Sequence, residues 1–216
     1  MAVAISPIAR ADIVGPFWFI MEVPMKKVTL GPSTILYPMP ALLVGADVEG
    51  KPNFMVAAWS GIACSDPPML TVAFQPQRHT LKGVKEHRSF SVNIPSVAQM
   101  KETDYCGMFS GKGEPDKSAV CGFEIFYGAT HGAPLIAQCP VNLECTVVMT
   151  LQLGSHDLLI GQIKEVHVSE EALDADGKLD PAKVDPLMFS VPDRTYRRMG
   201  EVVGKAFSVG KELKKG

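Results

Sequence analysis

Apolar and polar residues alternate with period two along much of the chain. The longest run is Val141 to Leu153, where Val141, Leu143, Cys145, Val147, Met149, Leu151 and Leu153 interleave with Asn142, Glu144, Thr146, Thr150 and Gln152. That spacing predicts a strand with one face in a core and the other in polar surroundings. Gly154-Ser155-His156-Asp157 is turn-like, and Leu158 to Val168 predicts the return strand, with Gly161 marking a bulge or a close approach. Shorter runs predict strands over Ala41–Asp47, Met69–Phe74 and Ser89–Ile94. Val48-Glu49-Gly50-Lys51-Pro52 has turn chemistry and pairs the first strand with one opening at Asn53; Asp66-Pro67-Pro68 ends that strand. Long strands this close in sequence predict a curled antiparallel sheet that closes into a barrel.

Helical spacing is rarer. Arg78 to Arg88 predicts a short helix with Thr80 capping its start, Leu81 and Val84 facing inward, and Gly83 as an unfavourable interior residue. Ser96 to Phe109 predicts a second helix with Val97, Met100 and Met108 inward. Glu201 to Lys215 predicts a third, its charges suited to the helix dipole.

The stretch Asn53 to Pro68 reads as one strand with an unusual face. Phe54, Val56, Ala58 and Ile62 occupy the ordinary core face, whereas Asn53, Met55, Ala57, Trp59 and Gly61 set an amide, small residues and one large ring on the other. Asn53 and Trp59 lie roughly 20 Å apart on an extended chain, the length of an elongated cofactor. From this strand alone, a half-buried tryptophan at a dimer contact is the favoured reading. Gln75 to Thr80 hands a strand over to a helix start, where Arg78 and the Thr80 hydroxyl suit a phosphate, or an ordinary N-cap beside a solvated arginine. The Gly- and Pro-containing loop Cys106–Phe123 offers Lys112 and Lys117, for a phosphate or for solvent. Read singly, His156 is a surface histidine and Phe189 a core aromatic.

Composition narrows the classes. The 216 residues are 46% hydrophobic and 20% charged, with a formal net charge of −2. This suits one sizeable globular domain and gives no electrostatic reason to expect nucleic acid or an anionic membrane as partner. The five cysteines are odd in number and form no C-x-x-C, so reduced thiols in a cytoplasmic protein are expected, with Cys64 and Cys106 the candidates for a functional thiol. Residues 1–24 make a poor signal peptide, and Met25-Lys26-Lys27 resembles a natural start; the expected division is an extension over 1–24 and one domain over 25–216. No G-x-G-x-x-G follows a strand, so neither a Rossmann domain nor a phosphate loop is expected.

In order, YPMPALLVGADVEGKPNFMVAAWSGIACSDPP, VAFQPQRHTLKGVKEHRSFSVNIP, SGKGEPDK, GSHDLLIGQIKEVHV and PLMFSVPDRTYRRMGEVVGKAF resemble the flavin reductase-like FMN-binding split-barrel family, flavoredoxins most of all. The resemblance spans about Thr29 to Phe207. It implies a mainly β fold with flanking helices, a six-stranded antiparallel Greek-key split barrel, and a homodimer with FMN near the interface. The family's FMN contacts fall on Asn53, Trp59, Thr80, Lys117, His156 and Phe189, with Ala57, Ala58 and Ser60 as backbone or small-side-chain contacts and Arg78 as the basic position before the helix. The family's aromatic after DK is a serine here. The implied activity is electron transfer through bound flavin, from NADH, NADPH or a redox protein to an acceptor such as free flavin, a ferric chelate or another protein. The other implied readings are a ferric-chelate reductase and a non-redox split-barrel binding module. A pyridoxamine-phosphate-oxidase-like barrel would share the architecture, but that family's substrate motifs are missing.

Overall fold

The computed structural model describes residues 26–214. The expectations for an extension over 1–24 and a start at Met25 lie outside those residues. The chain divides between Thr34 and Ile35 into two units. Residues 26–34 of the first carry no regular secondary structure.

The second unit begins with β1 (Met39–Pro40), β2 (Leu42–Val48), β3 (Lys51–Ala57), β4 (Ser60–Ser65) and β5 (Pro68–Phe74). Helix α1 (Thr80–His87), β6 (Ser89–Ile94), α2 (Met100–Met108) and α3 (Lys117–Val120) follow, then β7 (Ile125–Phe126) and β8 (Leu135–Ile136). The long hairpin β9 (Val141–Gln152) and β10 (Asp157–Val168) precedes α4 (Pro181–Val184), β11 (Leu187–Ser190) and β12 (Thr195–Arg198). The main sheet is antiparallel throughout, in the order β3-β2-β6-β9-β10-β5-β4. A small sheet joins β1, β11 and β12.

That order forces the sheet to curl. β3 and β4 stand at its two edges, yet only Ala58 and Trp59 separate them in sequence. Laid flat, the edges would be about 29 Å apart at ~4.8 Å per strand. Three Cα steps reach at most roughly 11 Å. The sheet therefore curls on itself, and the Ala73 N–H donates to the Trp59 carbonyl at 2.9 Å, which carries the β4–β5 pairing back to the residue before β4. The expected single strand from Asn53 is thus two strands, and the main sheet has seven strands, one more than expected.

The interior is filled by Leu42, Val44 and Ala46 of β2, Met55 and Ala57 of β3, Val72 and Phe74 of β5, and Phe90 and Val92 of β6, with Leu81 and Val84 of α1 closing one end. Gly83 is required there: a Cβ would collide with the Asp47 carbonyl. A second core lies outside the barrel, where Leu43 and Phe54 pack on Cys106, Phe123, Ile136 and Cys139. β3 is therefore covered on both faces, so Met55 and Ala57 are as buried as Phe54, and the expected polar-versus-apolar division of that strand fails. Ile62, expected inside, is exposed on β4.

β9 departs from its pattern in two ways. At its base the polar face is buried, because residues 128–136 cover it. Glu144 accepts from the Thr130 N–H and pairs with His167 at 2.7 Å, while Asn142 donates to Asn93 at 2.8 Å. At its tip the apolar residues Met149, Leu151 and Leu153 are exposed. The bulge expected at Gly161 is present, and a Cβ there would strike Phe90. Met100 and Met108 point outward on α2, whose buried residues are Thr103 and Cys106. The tail forms no α-helix over 201–214, only a short 3-10 turn at Val209–Leu213. Gly204, Gly210 and three valines weaken it, and its exposed side chains have no core to pack on.

Candidate functional site

Two depressions flank the segment Arg78-His79-Thr80. Each draws on β3 and on the approach to α1. The first lies at the barrel seam, where Ala57, Ala58, Trp59, Arg78, His156 and Phe189 line a cleft of about 320 Å³, together with Gln75. Six of the ten residues expected at the site thus meet in one place. The break between β3 and β4 puts Trp59 on the rim, 38% exposed. Its indole stacks on His156, with centroids 4.5 Å apart and planes at 30°. His156 sits just before β10, and the Ser155 hydroxyl lies 2.9 Å from its Nδ1. Phe189 comes from the small sheet, held opposite Met39 and Tyr196. The Arg78 guanidinium makes one hydrogen bond among the described residues, to the Gly107 carbonyl at 3.3 Å. Most of its donors remain available.

The second depression, about 330 Å³, is basic. Asn53 forms part of its wall, with Lys51, His79, Lys82, Gly111 and Lys112 around it. Asn53 and Thr80 are 3% and 1% exposed. The Thr80 hydroxyl donates to Asn53 Oδ1 at 2.8 Å. Thr80 is therefore not the helix cap: His79 takes that position and makes no side-chain cap bond. The amide nitrogen of Asn53 donates to no described residue. Gly111 passes so close to this amide that a Cβ there would collide with it. Burial, and next the charge of Lys82, hold the His79 pKa below its ordinary value. The imidazole is therefore neutral near pH 7, and the lysines carry the positive charge.

Two expected residues have other tasks. Ser60 donates its hydroxyl to the Thr71 carbonyl at 2.6 Å and is engaged within the sheet. Lys117 is 2% exposed. Its ammonium donates to the carbonyls of Phe54 at 2.6 Å, Cys106 at 3.2 Å and Phe109 at 2.9 Å. All three donors are engaged, leaving none for a phosphate. Burial lowers its pKa, opposed by Cys106 and assisted by Arg78. Lys117 is a buried anchor for the loop whose Gly111 and Lys112 form the wall of the basic depression.

Sequence reasoning passed over His79 and Lys82, whose signal was available: residues at the first turn of α1 share the helix's N-terminal surroundings with Arg78. Gly61 has open space around it, so crowding does not dictate a glycine there. The described residues hold no cluster of three or more metal-ligating side chains, and no nucleophile–base pair lines the cleft. The arrangement is suited to hold a flat aromatic group beside an anionic one.

Comparison with known proteins agrees with this geometry. The model of the flavin reductase like domain matches residues 34–198. A flavoredoxin from Methanosarcina acetivorans is 40% identical, with a TM-score of 0.82 over 88% of this chain and 100% of that one. The flavoredoxin of Desulfovibrio vulgaris (Miyazaki F) is 38% identical, with a TM-score of 0.80 over 86% of this chain and 100% of that one. A protein of Aeropyrum pernix is 33% identical over 137 residues, which are 63% of this chain and only 52% of that protein's length. With a fold, a cleft and a family match that coincide over most of its length, the chain belongs to the flavin reductase-like domain family.

Proposed function

We propose that the chain binds FMN and carries electrons through it, as a flavoredoxin or flavin reductase. The observation that carries this reading is the convergence of Ala57, Ala58, Trp59, Arg78, His156 and Phe189 on one cleft at the barrel seam. The residues fit the group. Trp59, His156 and Phe189 provide the aromatic surfaces for an isoalloxazine, and the two alanines leave room for its approach. Arg78, Lys82 and Lys112 supply charge for the phosphate, and the Asn53 amide supplies a further donor. Once bound, FMN supplies the hydride and single-electron chemistry. The protein orients it and contributes cationic and amide donors that favour negative charge. It needs no catalytic acid, base or nucleophile of its own.

The physiological partner unit on this reading is a second copy of the chain. Ile62 of β4, Met149 and Leu151 of β9 and Leu153 just beyond it expose apolar surface that a homodimer would cover. No helix among the described residues is long and apolar enough to cross a membrane, and the cytoplasm is the proposed location.

The test is anaerobic reduction of the FMN-loaded protein by NADH, by NADPH and by a reduced ferredoxin, following the flavin absorbance. Rapid bleaching by a nicotinamide makes the chain a reductase, whose acceptor is then sought among free flavins and ferric chelates. Bleaching only by the protein donor makes it a carrier. A protein that is colourless as purified and takes up no added FMN overturns the reading.

A further inference from the structure

The core outside the barrel contains thiols that flavin binding does not use. Cys106 on α2 and Cys121, the residue following α3, place their sulfurs 3.9 Å apart, at van der Waals contact. Cys106 is fully buried and Cys121 half-buried. Cys139 belongs to the same apolar cluster. The Cys121 thiol also points at the Glu102 carbonyl, 3.8 Å away, and one Glu102 carboxylate oxygen is buried without a partner. The Lys117 ammonium donates to the Cys106 carbonyl.

We propose that Cys106 and Cys121 form an oxidisable pair that closes to a disulfide and ties α2 to α3 across residues 107–120. The geometry is close to what the bond requires. A disulfide is about 2.05 Å long, so the sulfurs must approach by roughly 2 Å. A hydroperoxide serves as oxidant. Cys121, the more accessible thiol, attacks the peroxide oxygen and becomes a sulfenic acid, releasing water. The Cys106 sulfur then attacks the Cys121 sulfur and expels a second water. In sum, two thiols lose two electrons and two protons, and hydrogen peroxide becomes two waters. Burial pushes the Cys106 thiol up to about 12 and raises Cys121 as well, so both rest protonated and the pair closes slowly near neutral pH. The ring so closed contains Gly111, which abuts Asn53, and Lys117, which anchors the loop. Oxidation would therefore stiffen one wall of the basic depression.

The experiment treats the full-length protein with hydrogen peroxide, alkylates remaining thiols under denaturing conditions, and maps the peptides. The expected result is three alkylated cysteines of the five, with a Cys106–Cys121 cross-linked peptide and a mass lower by two hydrogens. Hydrogen exchange over 107–120 should slow roughly tenfold in the oxidised protein, and closure should quicken as pH rises. Cys121→Ser, at the half-exposed position, should abolish the cross-link while leaving a folded chain. Five alkylated cysteines, a bond to Cys139 or Cys64, or overoxidation of Cys121 without a cross-link would each overturn the proposal. None of these readouts depends on bound flavin.

Discussion

The seam cleft and the basic depression lie on either side of the segment Arg78-His79-Thr80 but are made of unlike materials. The cleft is built of rings held by backbone: Trp59 by the break between β3 and β4, His156 by the start of β10, Phe189 by the small sheet. The depression is built of long lysines around two buried polar residues that already bond to each other. The cleft is therefore preformed, whereas the depression presents charge on flexible stems. Rigid surfaces lose little entropy on binding, and flexible ammonium groups lose more for each bond they make. The cleft should dominate affinity, and the depression should decide whether the ligand carries a phosphate.

The largest effect should come from a residue in neither depression. Lys117→Met keeps the length of the side chain but strands three carbonyls, and at about 1–3 kcal/mol for each unsatisfied buried group the fold should lose roughly 3 kcal/mol or more. Thermal unfolding of the flavin-free protein measures this. FMN and riboflavin affinities should fall together, because the shared wall loosens. A selective loss of FMN with unchanged Tm would return Lys117 to the phosphate. Next in size is Trp59→Ala, which removes a stacking surface worth about 2 kcal/mol, or roughly thirtyfold in Kd, for FMN and riboflavin alike. Equilibrium fluorescence titration with both ligands checks it; an unchanged affinity would remove Trp59 from the ring site.

How far the sequence revealed this division depends on the residue. β2, β5, β6, β9, β10 and α1 were legible because alternation and Pro or Gly punctuation report local structure directly. The break at Ala58-Trp59 was not, since nothing in the local pattern distinguishes a strand that continues from one that changes edges of a sheet. Burial of Asn142 and Glu144 was hidden for a related reason: the cover comes from a distant segment. Burial alone would raise the Glu144 pKa, yet its bonds to His167 and Thr130 bring it below the ordinary value, so a charged residue sits where alternation predicted solvent. Lys117 lies in a polar Gly- and Pro-rich loop, where a solvated ammonium is the usual outcome. Only the arrival of carbonyls from β3 and α2 reverses it. The six cleft residues were legible as a set through the family resemblance and scarcely at all one by one.

Arg78 lines the cleft and is followed in sequence by His79 of the depression, so it provides the sharper test of the comparison. Arg78→Ala should weaken FMN by about 1.5–2 kcal/mol, roughly ten- to thirtyfold, through loss of charge-assisted hydrogen bonds to the phosphate. Riboflavin, which lacks the phosphate, should lose much less. Equal losses for the two ligands would place the guanidinium on the ring and move the phosphate wholly to the lysines.

The smallest effect should be at Lys82. Its ammonium lies at the rim of the basic depression, where solvent screens it and the flexible stem must be ordered before it can bond. Lys82→Ala should therefore raise the Kd for FMN by no more than about fivefold, under 1 kcal/mol, and leave riboflavin unaffected. Salt separates this from the cleft. The Debye length shrinks from about 30 Å at 0.01 M to about 3 Å at 1 M, so the difference between wild type and Lys82→Ala should vanish across that range while the Trp59→Ala difference persists. His79 adds a second sign to the measurement. Lys82 lowers the His79 pKa, so its removal lets the imidazole hold a proton to higher pH. As pH falls below neutrality the variant should then recover part of its lost FMN affinity, because a charge removed at position 82 returns at position 79. A Lys82→Ala defect that is insensitive to salt and pH would mean that the depression acts by shape rather than charge, and the contrast between the two halves of the site would collapse.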